Sequence, residues 1–182
     1  KTLFYLRVAS PNVIRAWGND DHGQTTVPSG LEDVADISAG IGHALAVRAD
    51  GTVAAWGLND NGQTTVPSEL NNVVQVSAGA HHSVALKSDG TVAAWGKNDH
   101  GQCDIPTGLT GVVFVSAGGS HTVALKGDGT MVAWGDNTHG QATVPPNARF
   151  AYYVSAGMAH NYALTEGYDT AWGLNNYGQI SG

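Results

Sequence analysis

Apolar residues along the chain fall in short bursts separated by Gly-, Asn- and Asp-rich turns, and no 11-residue stretch carries them at helical spacing. One stretch shows the pattern clearly. Residues 72–77, 82–87 and 91–95 each read as a short strand rich in β-branched and apolar side chains. Ser88-Asp89-Gly90 reads as a hairpin turn between the last two, and Asp50-Gly51 and Asp128-Gly129 repeat it. Glu166-Gly167-Tyr168 stands in the same place one residue short. A fourth, weaker strand is expected from Gly101-Gln102 to Pro106, with Pro28, Pro67, Pro106 and Pro145 confining it to a sheet edge. Four strands in hairpin succession predict an antiparallel sheet. The middle burst is apolar at consecutive positions (Leu45-Ala46-Val47, Val84-Ala85-Leu86, Val123-Ala124-Leu125), which predicts a strand covered on both faces. Ala46, Ala85, Ala124 and Ala163 are small enough to let neighbouring sheets approach closely there.

The pattern is periodic. Trp-Gly recurs at Trp17, Trp56, Trp95, Trp134 and Trp172, and Gly-Gln recurs at Gly23, Gly62, Gly101, Gly140 and Gly178. Ser-Ala-Gly begins at Ser38, Ser77, Ser116 and Ser155, followed each time by a histidine at His43, His82, His121 or His160. Four short strands per unit of about 40 residues is the pattern of propeller blades. The expected fold is therefore an all-β propeller of four-stranded antiparallel blades, about five 39-residue repeats forming a partial or small ring. Residues 1–182 form one domain, divided at about 1–30 (partial), 31–69, 70–108, 109–147 and 148–182. The five tryptophans are expected to fill space between blades, and the four histidines to hydrogen-bond backbone groups of the neighbouring blade.

The run Val76-Ser77-Ala78-Gly79, His82 through Leu86, Asp89-Gly90-Thr91-Val92, Trp95-Gly96 and Asn98 through Gly101-Gln102 resembles the regulator-of-chromosome-condensation repeat family. The resemblance covers about residues 4–182. The compact unit with its Gln-Thr-Thr-Val-Pro ending is similar to the short bacterial version, and to the propeller of secreted β-lactamase inhibitor proteins. This resemblance implies a β-propeller, typically of seven blades, used as a protein-binding platform. It does not by itself fix a function. Seven such units would need about half as many residues again. A fragment, a smaller ring of five units, and chains that complete one another's blades all remain open, and a chain starting at Lys1 reads as processed or as a fragment.

Charge and candidate chemistry narrow the function. The chain has 8 Lys+Arg against 15 Asp+Glu, a formal charge of -7, and no basic run to follow a phosphate backbone, so nucleic acid is not an expected partner. No apolar run approaches a membrane span. The lone Cys103 precludes an intrachain disulfide and reads as an ordinary small edge-strand residue. His43, His82, His121 and His160, recurring once per blade, read as structural, and no metal or cofactor is expected. Asn59-Asp60 and Asn98-Asp99 read as turn caps, since the spacing of a calcium loop is absent. No Gly-x-Ser-x-Gly elbow occurs, and a Ser/His pair repeated in every blade is periodicity, not a catalytic site.

Counting strand directions puts the turn after Ser-Ala-Gly and the loop after Trp-Gly at the same end of the molecule. There the repeats differ most, at Ile41, His81, Ser120 and Met158 in one set and His22, Asn61, His100, His139 and Tyr177 in the other. Variable side chains on a repeated scaffold are where recognition is usually placed. The expected function is a non-enzymatic protein-binding module. Low charge and Asn/Gly/Thr-rich loops favour an extracellular or cell-surface setting, with the cytoplasm left open. The alternatives are a structural assembly protein whose blades are completed between copies of the chain, and a regulator resembling guanine-nucleotide exchange factors.

Overall fold

The computed structural model describes residues 4–9 and 13–180. Among these residues the chain forms fourteen strands in five sheets and no helix. The first sheet pairs β1 (Phe4–Ala9) with β2 (Val13–Gly18). The second is β3 (Val34–Ala39), β4 (His43–Arg48) and β5 (Val53–Gly57); the third is β6 (Val73–Ala78), β7 (His82–Lys87) and β8 (Val92–Gly96). The fourth is β9 (Val112–Ala117), β10 (His121–Lys126) and β11 (Met131–Gly135); the fifth is β12 (Ala151–Ala156), β13 (His160–Thr165) and β14 (Thr170–Gly173). Each sheet is an antiparallel meander. By register β1 and β2 correspond to the second and third strands of the later sheets, since Phe4 opposes Gly18 as His43 opposes Gly57.

The expected fourth strand does not form. Asn98 Oδ1 accepts the Cys103 amide at 2.8 Å, Asp104 N donates to Gly101 O and Ile105 N to Cys103 O, and Pro106 has no amide to offer. Local turns thus use the donors that a ladder would need. Cys103 is accordingly a turn residue and not an edge-strand residue; its Sγ donates to Lys97 O, and burial with nearby Asp104 pushes its thiol up to about 11.

First strands of successive sheets pack side by side and third strands splay apart, as in the blades of a propeller. Substantial packing runs only from each sheet to the next, so the described residues form a partial ring with two uncovered outer faces. The middle strands β4, β7 and β10 are buried along their first five residues, and Ala46, Ala85, Ala124 and Ala163 are fully buried, as their small size requires.

Three polar stitches repeat at the joints between the three-stranded sheets, and the tryptophan stitch also joins the first sheet to the second. Ser38, Ser77 and Ser116 Oγ accept the amides of Ala78, Ala117 and Ala156 in the next sheet, all at 2.9 Å. The indole Nε1 of Trp56, Trp95, Trp134 and Trp172 donates to the backbone oxygen of Gln24, Gln63, Gln102 and Gln141 in the preceding repeat. His43, His82 and His121 pair through Nε2 with Ser83 Oγ, Thr122 Oγ1 and Asn161 Oδ1 of the next sheet, at 3.1, 3.1 and 2.7 Å. The histidines therefore meet side chains, not the backbone groups expected from sequence. The Ser83 and Thr122 hydroxyls and Asn161 Nδ2 in turn donate to the same glutamine carbonyls, so the hydroxyl protons are already used, the Asn161 oxygen can only accept, and the imidazole Nε2 carries the donated hydrogen. The glycine of Ser-Ala-Gly makes room for that ring. A Cβ on Gly79 would sit 2.3 Å from His82 Cε1.

Two expected members of these series differ. Trp17 is 49% exposed and stacks on Tyr5 with ring centroids 5.7 Å apart, because no sheet precedes it among the described residues. His160 is only half-buried for the corresponding reason at the other outer face.

Candidate functional site

The turns after Ser-Ala-Gly and the loops after Trp-Gly share one end of the molecule. Leu58 N donates to Gly42 O at 2.8 Å, Lys97 N to His81 O at 2.9 Å, Asp136 N to Ser120 O at 2.8 Å and Leu174 N to Ala159 O at 2.8 Å. The Asp-Gly turns and the linkers between sheets occupy the opposite end, where Val73 N donates to Gly51 O and Ser88 N to Asn72 O.

On the first end, four Ala-Gly corners converge into an open cleft of about 260 Å³. Its floor is small side chains and backbone at Gly40, Gly79, Gly118 and Gly157, and Ile41 and Met158 stand at its sides. Those two side chains are 50% and 56% exposed. Of the expected recognition residues, Ile41 and Met158 thus share one apolar cleft. His81 and Ser120 occupy the intervening turns, half-buried, where their carbonyls anchor the neighbouring loop.

The second set stands further out. His22, Asn61, His100, His139 and Tyr177 are all exposed, Tyr177 at 93%. Each is held by its backbone, not its side chain. The amides of His22, Asn61, His100, His139 and Tyr177 donate to Oε1 of Gln24, Gln63, Gln102, Gln141 and Gln179 two residues on, at 2.8–2.9 Å. Gln24, Gln63, Gln102 and Gln141 are buried almost completely. A buried amide side chain is well suited to this, because unpaired backbone donors are costly and its oxygen accepts without carrying charge. These glutamines were recognised from sequence as part of the period, but not as the pins of the display. Their recurrence two residues after each variable position was the available signal.

His100 and His139 come near the Asp136 carboxylate. Burial raises the Asp136 carboxyl, but bonds from Thr138 and the two imidazoles outweigh this and hold it below the ordinary carboxylate range. Gln141 Nε2 also donates to Asp136 Oδ2 at 2.8 Å. Among the described residues no group of three or more His, Cys, Asp or Glu is placed to hold a metal ion, and no helix is long and apolar enough to cross a membrane.

Sheets stacked as blades, stitched by Trp and His, with divergent loops at one end, define a protein of the β-propeller class. Residues 34–63, 73–102 and 112–141 each match the regulator of chromosome condensation (RCC1) repeat, so the chain carries three repeats of that family. No curated protein matches the sequence. Among solved structures it is similar to the ectodomain of the receptor kinase CR4 of Physcomitrella patens, with a TM-score of 0.77 and 23% identity over 94% of this chain and 50% of that one. Human WBSCR16 also gives a TM-score of 0.77, at 20% identity over 95% of this chain and 60% of that one. Prp20p of Saccharomyces cerevisiae, whose structure is described with its binding properties to Gsp1p and histones, gives 0.69 at 20% identity over 87% of this chain and 48% of that one. The chain thus spans about half to three fifths of the length of these relatives.

Proposed function

We propose that this chain is a non-enzymatic protein-binding module that engages its partner at the end carrying the Ala-Gly cleft and the glutamine-pinned loops. The observation that carries this reading is the contrast between scaffold and display. Ser, His, Trp and Gln recur in the joints, while the side chains projected from that end differ from repeat to repeat on rigidly held backbone. The binding of Gsp1p and histones by Prp20p favours a protein partner over a small molecule. Ile41 and Met158 supply the apolar centre and the exposed histidines the polar rim, the usual division within a protein interface.

Photo-crosslinkers placed at Met158 on this end and at Asp89 on the other distinguish the two ends in a cell extract. The partner is expected to crosslink from position 158 and not from 89. Replacing His22, His100 and His139 together by alanine is expected to weaken binding of that partner about tenfold or more without shifting Tm, since none of the three side chains lies in a joint. Unchanged affinity in the triple variant and in Ile41→Asp would overturn the reading.

A further inference from the structure

The two outer faces of the partial ring depart from the repeat in ways that match each other. At every internal joint the residue three before the tryptophan packs with the alanine-lined face of the next sheet. Ile14 clusters with Ala46 and Ala54, Val53 with Ala85, Val92 with Ala124 and Val132, and Met131 with Ala163. In the last sheet the residue in this place is Asp169, exposed and accepting from the Tyr162 hydroxyl. In the first sheet the place of Ala54, two before the tryptophan, is taken by Arg15, also exposed. Apolar residues occupy these places inside the stack, and an acid and a base occupy them at its two ends.

The other stitches extend in the same direction. Trp17, half-exposed, occupies the place from which Trp56, Trp95, Trp134 and Trp172 each donate to a glutamine carbonyl of the preceding repeat. Gln179 ends the last repeat in the place of those glutamines, its loop already pinned through Tyr177. Position 5, opposite Trp17, corresponds to Ser83, Thr122 and Asn161, the partners of the histidines, and carries a tyrosine, which also bears a polar group.

We propose that the last sheet of one copy of this chain docks on the first sheet of a second copy, continuing the internal joint head to tail with Asp169 against Arg15 and Trp17 against the Gln179 loop. The contact lies on the two outer strands, which are the two that β1 and β2 supply. Such a joint is heterologous: it uses different surfaces on the two copies and leaves one of each free, so it builds a ring or a filament. It is separate from the loop end proposed for partner binding, and either can fail without the other.

Light scattering over a range of concentrations tests it. The wild-type chain is expected to show a mass rising above 18.8 kDa with concentration and falling back with added salt, with Trp17 becoming protected from acrylamide quenching as the mass rises. Asp169→Arg and Arg15→Asp are each expected to raise the half-association concentration about tenfold or more. A 1:1 mixture of the two variants is expected to regain association in alternating order, because both joints between unlike variants carry opposite charges while neither joint between like variants does. Circular dichroism checks that both variants remain folded, and Ile41→Asp is expected to leave the mass profile unchanged. A constant monomer mass for the wild type overturns the proposal and assigns the faces to another occupant, such as further repeats of a longer chain. Association that ignores both charge reversals, or a mixture that associates no better than either variant alone, equally overturns this joint.

Discussion

His82 illustrates what one buried residue contributes. Its Nε2 donates across the joint, while its Nδ1 is buried with no hydrogen-bond partner, as are those of His43 and His121. Burial, and beside it the imidazoles of His121, His43 and His81, push His82 down to about 4; burial and His81 do the same for His43. Protonation would place a charge at Nδ1, against the glycine corner, with nothing to accept the new hydrogen. Because the folded values lie below the ordinary 6.5, the neutral rings stabilise the fold fully above that pH. That contribution is lost as pH falls from 6.5 to 4. The urea midpoint is expected to be flat above pH 7 and to fall steeply across that window; a midpoint insensitive to pH there would contradict the account. Ser83→Ala removes both the acceptor of His43 and a donor to Gln63 O, and is expected to cost about 1–3 kcal/mol. A double-mutant cycle with His43→Phe should recover part of the loss, because a phenyl ring in that place needs no acceptor from position 83.

Elements were legible from sequence in proportion to how far their donors go into ladders. The second strand of the third repeat was read to the residue, 82–87, since it is apolar throughout and bounded by turns. The segment after Gly101-Gln102 looked like a strand because it alternates and ends in proline, yet the Asn98 side chain captures its first free amide. Asn59, Asn137 and Asn175 do the same for Thr64, Ala142 and Ile180. Burial of the tryptophans was legible as well, except where a preceding sheet is wanting. This difference can be measured. Trp95→Ala, which empties a buried site and orphans Gln63 O of one donor, is expected to cost about 3–5 kcal/mol, and Trp17→Ala about 1 kcal/mol or less in dilute solution. Denaturant melts of the two variants side by side would show it, and equal losses would mean that Trp17 is packed more tightly than its exposure indicates.

For the molecule as a whole, each sheet packs chiefly on its neighbours, so stability is close to a sum over sheets and joints. Weakening a central joint should therefore divide the chain, while weakening an outer one should fray it. Amide hydrogen exchange on Ser83→Ala is expected to speed β3–β5 and β6–β8 together, and on Ser155→Ala to leave every sheet near its original rate, since Ser155 is exposed and belongs to no joint between the described sheets. Uniform acceleration in both variants would instead mark one cooperative unit. The placing of the loops at one end was readable from strand parity alone. That Ile41 and Met158 share a cleft was not, because it depends on the angle between sheets, which no local pattern encodes.

The glutamine pins divide the work of each loop between two neighbouring residues. Gln24, Gln63, Gln102 and Gln141 hold the amide of the residue two places before them, a group that all amino acids but proline possess. Three histidines, an asparagine and a tyrosine already occupy that place on nearly the same backbone bond. Each repeat thus offers one interchangeable socket, and a row of such sockets can be rewritten one at a time, so that lineages bearing the same frame can come to recognise unlike surfaces while their melting behaviour stays the same.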